Sequence, residues 1–190
     1  MVLPGHLAGG YIATSLVLSL STTPFSHNEL TILYFIGILA GEIPDIDLLI
    51  FYLEKKYFKN SKRQTHREYV THLPIFWLSL CTAIFLYGYS MDSAFAMTIS
   101  LILLAGTFSH FILDSIDFGI QWFKPFSYKK ICLFELKEVE DFEKQATRNN
   151  VRVGSIHFYW NYLRTAYIRQ VTFYAEILVV LVAIYIFFKV

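Results

Sequence analysis

The sequence predicts an all-α protein, a polytopic membrane bundle of about five transmembrane helices, and three observations predict it. Hydrophobic residues make up 55% of the 190-residue chain and charged residues only 16%, with a mean hydropathy of +0.47. A soluble domain carries roughly a quarter charged residues, so too little polar material is left to cover a water-facing surface. Five apolar stretches also approach the length of about 20 residues that a bilayer-crossing helix needs. Finally, the basic residues are confined to alternate loops. A chain of this length suffices for one domain, 1–190, and hardly for two.

The first stretch is Leu3–Leu20 and the second covers 30–53. The third covers 71–89, the fourth is Ala94–Ile116, and the fifth covers 171–188. Residues 1–6 contain no Lys or Arg to form the positive head of a signal peptide, so the first stretch is expected to be a span that is not cleaved. Fifteen of the sixteen Lys and Arg lie between spans two and three, from Lys55 to Arg67, or between spans four and five, from Lys124 to Arg169. Loops 21–29 and 90–93 hold none. The positive-inside rule then puts the N-terminus and both basic loops in the cytoplasm and the C-terminus on the opposite side of the membrane.

Segment 121–170 is the one sizeable part expected outside the bilayer, a cytoplasmic or interfacial stretch between helices 4 and 5. Residues 134–146 suit a short surface helix. Residues 156–167, rich in Tyr, Trp and Phe next to Arg164 and Arg169, suit an interfacial helix leading into span five. Cys81 and Cys132 belong to no C-x-x-C pair and read as ordinary thiols. A net charge of +1 argues neither for nor against nucleic acid, and no direct nucleic-acid binding is expected.

This topology gathers the ionisable residues. His6 lies at the cytoplasmic start of span one, Asp45 and Asp47 toward the cytoplasmic end of span two, His66 and His72 before span three, and His110 and Asp114 toward the cytoplasmic end of span four. Some of these positions have ordinary explanations: Asp45 and Asp47 as a helix end facing headgroups, His66 and Arg67 as members of a basic loop. His110 and Asp114 are harder to explain that way. They are one helical turn apart and share a face, and an ionised Asp costs about 2.5–3.5 kcal/mol at a helix centre. Such groups face a bundle interior and have a partner, and a metal ion would serve. Imidazole and carboxylate without thiolate suit Zn first, with Mn or Fe as alternatives, as one ion or two. Asp45 and Asp47, two residues apart, can reach one site only if the helix has ended there. Thr71 could cap span three with His72 in its first turn.

These residues resemble the YdjM family, described as inner-membrane-associated, LexA-binding, metal-dependent hydrolases. That family has an N-terminal His, a P-D-I-D element, an H-R-G-x-T-H-S element and an S-H-x-x-x-D element followed by Gly and then Pro. Here they read Gly5-His6, Pro44-Asp45-Ile46-Asp47, His66-Arg67 with Thr71-His72, and Ser109-His110 with Asp114, continued by Gly119-Ile120 and Pro125-Phe126-Ser127. The likeness covers about residues 1–130. His66 and His72 stand one residue farther apart than in the family pattern, and Leu73 replaces its Ser. The stretch from Asp114 to Gly119 is one residue shorter, with Asp117 as a possible added ligand.

Together these features point to a membrane-embedded metal-dependent hydrolase with its site at the cytoplasmic face. Its metal ligands are expected to be His110, Asp114, His6 and His72, followed by Asp45 and His66. Asp47 is expected to act as general base and Arg67 to hold an anionic substrate group. Membrane lipids surround the chain, and the depth of the site suggests a lipid-like or phosphoester substrate. Two other readings stay open: a regulatory or structural membrane protein with a non-catalytic metal site and a cytoplasmic protein partner, or an ion- or proton-coupled transporter.

Overall fold

The computed structural model describes residues 3–55, 69–117, 119–134, 148 and 155–189. Among the described residues the fold is all-helical, apart from one antiparallel bridge between Ile120 and Ile131. Seven α-helices follow in order: α1 (Leu3–Leu20), α2 (His27–Ala40), α3 (Ile46–Lys55), α4 (Pro74–Ser90), α5 (Ala94–Asp117), α6 (Ile156–Thr165) and α7 (Val171–Lys189). Short 3-10 turns at Ile43–Asp45, Val70–His72 and Tyr167–Arg169 precede α3, α4 and α7.

Among the described residues, three helices are long and apolar enough to cross a membrane: Leu3–Leu20, Ala94–Ile116 and Val171–Lys189. At 1.5 Å per residue α1 and α7 are about 27–29 Å long and α5 about 36 Å, against a hydrocarbon core of about 30 Å. Helices α2 and α4 are apolar but shorter. The outer surface is apolar: Ile177, Leu178, Leu181, Ile184, Tyr185 and Phe187 of α7 are exposed, whereas its buried positions include Thr172 and Glu176. Polar-in and apolar-out is the inverse of a water-soluble helix and is the arrangement that lipid selects.

The expected second span differs from its reading in the sequence. It is not continuous over 30–53 but stops at Ala40, turns through Ile43–Asp45 and resumes as α3. Pro44 sits in the 3-10 turn without an N–H to donate back along a helix, and Gly41 forms the C-cap of α2. The third span starts three residues later than expected, because Pro74 occupies the first helical position after Leu73. Thr71 is therefore not the cap of α4. The start of α2 is set by a capping box: Ser26 N–H donates to Glu29 Oε2 at 2.8 Å and Glu29 N–H donates to Ser26 Oγ. Helix α6 falls where an interfacial helix is expected, N-capped by the Ser155 hydroxyl, which accepts from Phe158 N–H. The expected surface helix at 134–146 lies outside the described residues.

Helix α5 is central and packs against α1, α2 and α4, while α7 packs on α1. Close approach of α1, α2 and α5 depends on residues without bulk. A Cβ on Gly10 would lie 2.2 Å from the Gly37 carbonyl oxygen, one on Gly41 would lie 2.2 Å from the His6 carbonyl oxygen, and one on Gly106 would lie 2.7 Å from Ala40 Cβ. Apolar side chains gain little by leaving lipid, so such helices associate through close van der Waals contact between small residues. Helix α7 is tied to α1 by a polar contact: Glu176 Oε1 accepts the Gly5 N–H at 3.0 Å, and Glu176 Oε2 accepts the Tyr167 hydroxyl.

Candidate metal centre

One end of this bundle brings together the N-terminal turns of α1, the chain leaving α2, the turn before α4 and the last turns of α5. His6, Asp45, Asp47, His72, His110 and Asp114 meet there, and the side chains of all but Asp45 are completely buried. Asp45 keeps 15% of its side chain exposed and marks the open edge. His66 and Arg67 lie outside the described residues, as does the side chain of Asp117. His27 is exposed at the start of α2, and exposed His157 pairs with Asn161 of its own helix.

The two central histidines are held by the same ring atom. His110 Nδ1 lies 2.8 Å from the Gly41 carbonyl oxygen. A carbonyl can only accept, so Nδ1 carries the proton and Nε2 of the neutral ring is a bare lone pair. His72 Nδ1 donates to Asp47 Oδ2 at 2.6 Å, and the Thr71 hydroxyl donates to the same carboxylate. In the neutral form of the ring, His72 Nε2 is then the lone-pair nitrogen. The two Nε2 atoms lie 3.4 Å apart. His72 Nε2 is 3.3 Å from Asp45 Oδ1 and 4.0 Å from Asp114 Oδ2, and His110 Nε2 is 3.8 and 3.9 Å from the same two oxygens.

One atom from each of Asp45, His72, His110 and Asp114 lies within 4.8 Å of the other three. Four lone-pair donors pointing at one volume repel one another unless a cation is shared among them. Ligand atoms about 2.0–2.2 Å from a metal ion stand about 3.3–3.6 Å apart in a tetrahedron and somewhat farther in wider coordination. The observed separations begin in that range, and the imidazole–carboxylate donor set suits Zn, Mn or Fe. The residues present fit a divalent metal.

The local sequence explains the placement. The end of α2 at Gly41 frees the carbonyl that anchors His110 and lets Asp45 and Asp47 take different tasks. Asp45 faces the convergence point, whereas Asp47 sits behind the His72 ring on its Nδ1 side. Asp47, expected to act as general base, here orients the His72 imidazole through its Oδ2. The turn carrying Thr71 and His72 is held in turn by Trp77, whose indole N–H donates to the Thr71 carbonyl at 2.7 Å. Trp77 packs with Phe111 and Ile120 in the buried aromatic cluster beside the site. The sequence did not mark Gly41 or Trp77 as parts of the site.

The family model described as YdjM inner membrane protein matches residues 1–190, the whole chain. The chain belongs to the YdjM family. Of the residues that carried the resemblance, His6, Asp45, Asp47, His72, His110 and Asp114 are brought together at this end of the bundle, while His66 and Arg67 lie outside the described residues. The family description and the three apolar helices together make this a membrane protein. No curated protein and no solved structure matches it.

Asp47→Asn tests the orienting role in this YdjM-family protein. The amide keeps volume and one acceptor but loses the charge that supports the His72 ring. Metal affinity is expected to fall by about 10–100-fold, as for other carboxylates behind a ligating histidine, with the helical content unchanged. Competition with a chromogenic chelator measures it.

Proposed function

We propose that this protein is a membrane-embedded, metal-dependent hydrolase whose site lies at the cytoplasmic face of the inner membrane. The observation that supports the reading is the pair of buried imidazoles, each anchored through Nδ1, whose Nε2 atoms converge with two carboxylate oxygens. Pure structural zinc sites favour thiolates and closed tetrahedra. A nitrogen–oxygen set suits ions that accept five or six ligands and leave a place for water.

A divalent ion held there would lower the pKa of a coordinated water toward neutrality and polarise a phosphoryl or acyl oxygen. The chain's own residues supply the remainder. His72, His110, Asp114 and Asp45 hold the ion, with His6 beside them. Asp47 and the Gly41 carbonyl fix the ring orientations. Asp45 lies at the exposed edge of the cluster, and Asp47, behind His72, keeps the general-base role suggested by the sequence. His66 and Arg67 keep the ligand and anion-binding roles suggested by the sequence.

Five crossings, with α2 and α4 as short spans beside α1 and α5, complete the topology, N-terminus inside and C-terminus outside. A site at headgroup depth points to a lipid-like or lipid-linked phosphoester as substrate. A catalytically silent metal with a regulatory role is the rival reading, and the same protein separates the two.

The test is elemental analysis of detergent-purified protein beside the His110→Ala/Asp114→Ala double variant, followed by a screen of phosphoesters and carboxylic esters. Bound Zn, Mn or Fe in the wild type, lost in the double variant together with a metal-dependent hydrolysis, supports the enzyme. Metal without any hydrolysis in the screen favours the regulatory reading. No metal in the wild type, even after reconstitution, removes the basis of both.

A further inference from the structure

His6 is not explained by a single metal ion. Its ring is completely buried, and neither Nδ1 nor Nε2 has a hydrogen-bond partner. Leaving two ring nitrogens of a buried imidazole unsatisfied is costly, of the order of 1–3 kcal/mol for each group. The polar atom facing it is Asp114 Oδ1, 3.4 Å from His6 Nε2. Asp114 thus divides its carboxylate: Oδ2 faces the His72 and His110 Nε2 atoms and Oδ1 faces His6.

The geometry points to a second divalent cation, held by His6 Nε2 and Asp114 Oδ1, with Asp114 bridging it to the first. This rests on the metal reading proposed above. The His6 and His110 rings are stacked, with centroids 3.9 Å apart and planes 24° from parallel. The two imidazoles therefore lie side by side, so an ion on His6 would be a near neighbour of one on His110. Metals in two-metal hydrolytic sites stand about 3.5–4 Å apart. A further carboxylate is at hand. Glu42 Oε2 is buried without a hydrogen bond. Its neighbour Gly41 is packed directly against the His6 carbonyl. Glu42, one residue from Gly41, would be at hand to complete the second site together with water.

The experiment is metal stoichiometry on metal-stripped, full-length protein in detergent, reloaded with Mn2+ or Zn2+ and compared among wild type, His6→Ala, His6→Gln and His72→Ala. Wild type is expected to bind two equivalents and both His6 variants one. Electron paramagnetic resonance of the Mn2+-loaded wild type should show an exchange-coupled pair, replaced in the His6 variants by an isolated ion. The wild-type spectrum decides the matter even if a His6 variant fails to fold. One equivalent in wild type, kept by the His6 variants and lost in His72→Ala, overturns the second ion and leaves the first site standing. Two equivalents in wild type and in the His6 variants places the second ion elsewhere and also overturns it. No metal in any protein overturns the metal reading itself, and this proposal with it.

Discussion

His72→Ala is expected to remove the bound metal and to lower any metal-dependent hydrolysis by at least about 10³-fold, equivalent to roughly 4 kcal/mol of transition-state stabilisation. His72 stands between the two groups on which the site depends. On one side its Nδ1 is fixed by Asp47 at 2.6 Å, and on the other its Nε2 comes within 3.3–4.0 Å of Asp45, His110 and Asp114. Removing the ring takes away a ligand and also strands the buried Asp47 carboxylate with the Thr71 hydroxyl alone. Insertion into the membrane should persist, because α1, α5 and α7 carry the apolar length and His72 lies in a turn outside them. The measurement is metal content together with turnover on any substrate found in the screen. His72→Ala protein that is folded, still metal-replete and fully active would refute the assignment. The effect should exceed that of Asp47→Asn, which weakens a ligand's support without deleting the ligand.

The site was legible in the sequence because lipid makes ionisable residues conspicuous. His110 and Asp114 on one turn of an apolar helix have no inexpensive explanation, and the distribution of Lys and Arg places the other His and Asp residues at the same end. The ends of α1, α5 and α7 were legible for the same reason: hydropathy changes sharply there. The break in the second span was not, although Gly41 and Pro44 were in view, because residues 46–53 are as apolar as those before them and an averaged hydropathy runs across the turn. The anchoring of His110 by a main-chain carbonyl leaves no trace in side-chain identity. Glu176 is a carboxylate within an otherwise apolar fifth span. Its partner is the Gly5 N–H, 171 residues away in sequence, and no local pattern connects them. The close helix contacts did have a sequence signal. Gly5 and Gly9, and again Gly37 and Gly41, are spaced as G-x-x-x-G, the pattern that lets membrane helices approach backbone to backbone.

That spacing leads to a contrast between two neighbouring residues. Gly10→Ala is expected to destabilise the bundle by about 1–3 kcal/mol or more, and Gly9→Ala by clearly less. The added methyl is the same and both positions are buried in α1, so the difference lies in what each meets. At Gly9 the new Cβ comes 3.0 Å from Leu113 Cδ1 and 3.2 Å from Ser109 Oγ, both side-chain atoms that can turn aside. At Gly10 it comes 2.2 Å from the Gly37 carbonyl oxygen and 3.2 Å from the Gly41 N. Backbone of α2 cannot move away without carrying Gly41 with it, and the Gly41 carbonyl holds the His110 ring at 2.8 Å. A displacement that begins as helix crowding would therefore reach the metal site, where misplacing an imidazole by a fraction of an ångström weakens coordination. Gly10→Ala should lower both the unfolding temperature in detergent and the metal affinity, while Gly9→Ala should leave affinity near wild type. Equal, small effects of the two substitutions would show that α1 and α2 are not packed backbone to backbone, and the anchoring of His110 would then need another account.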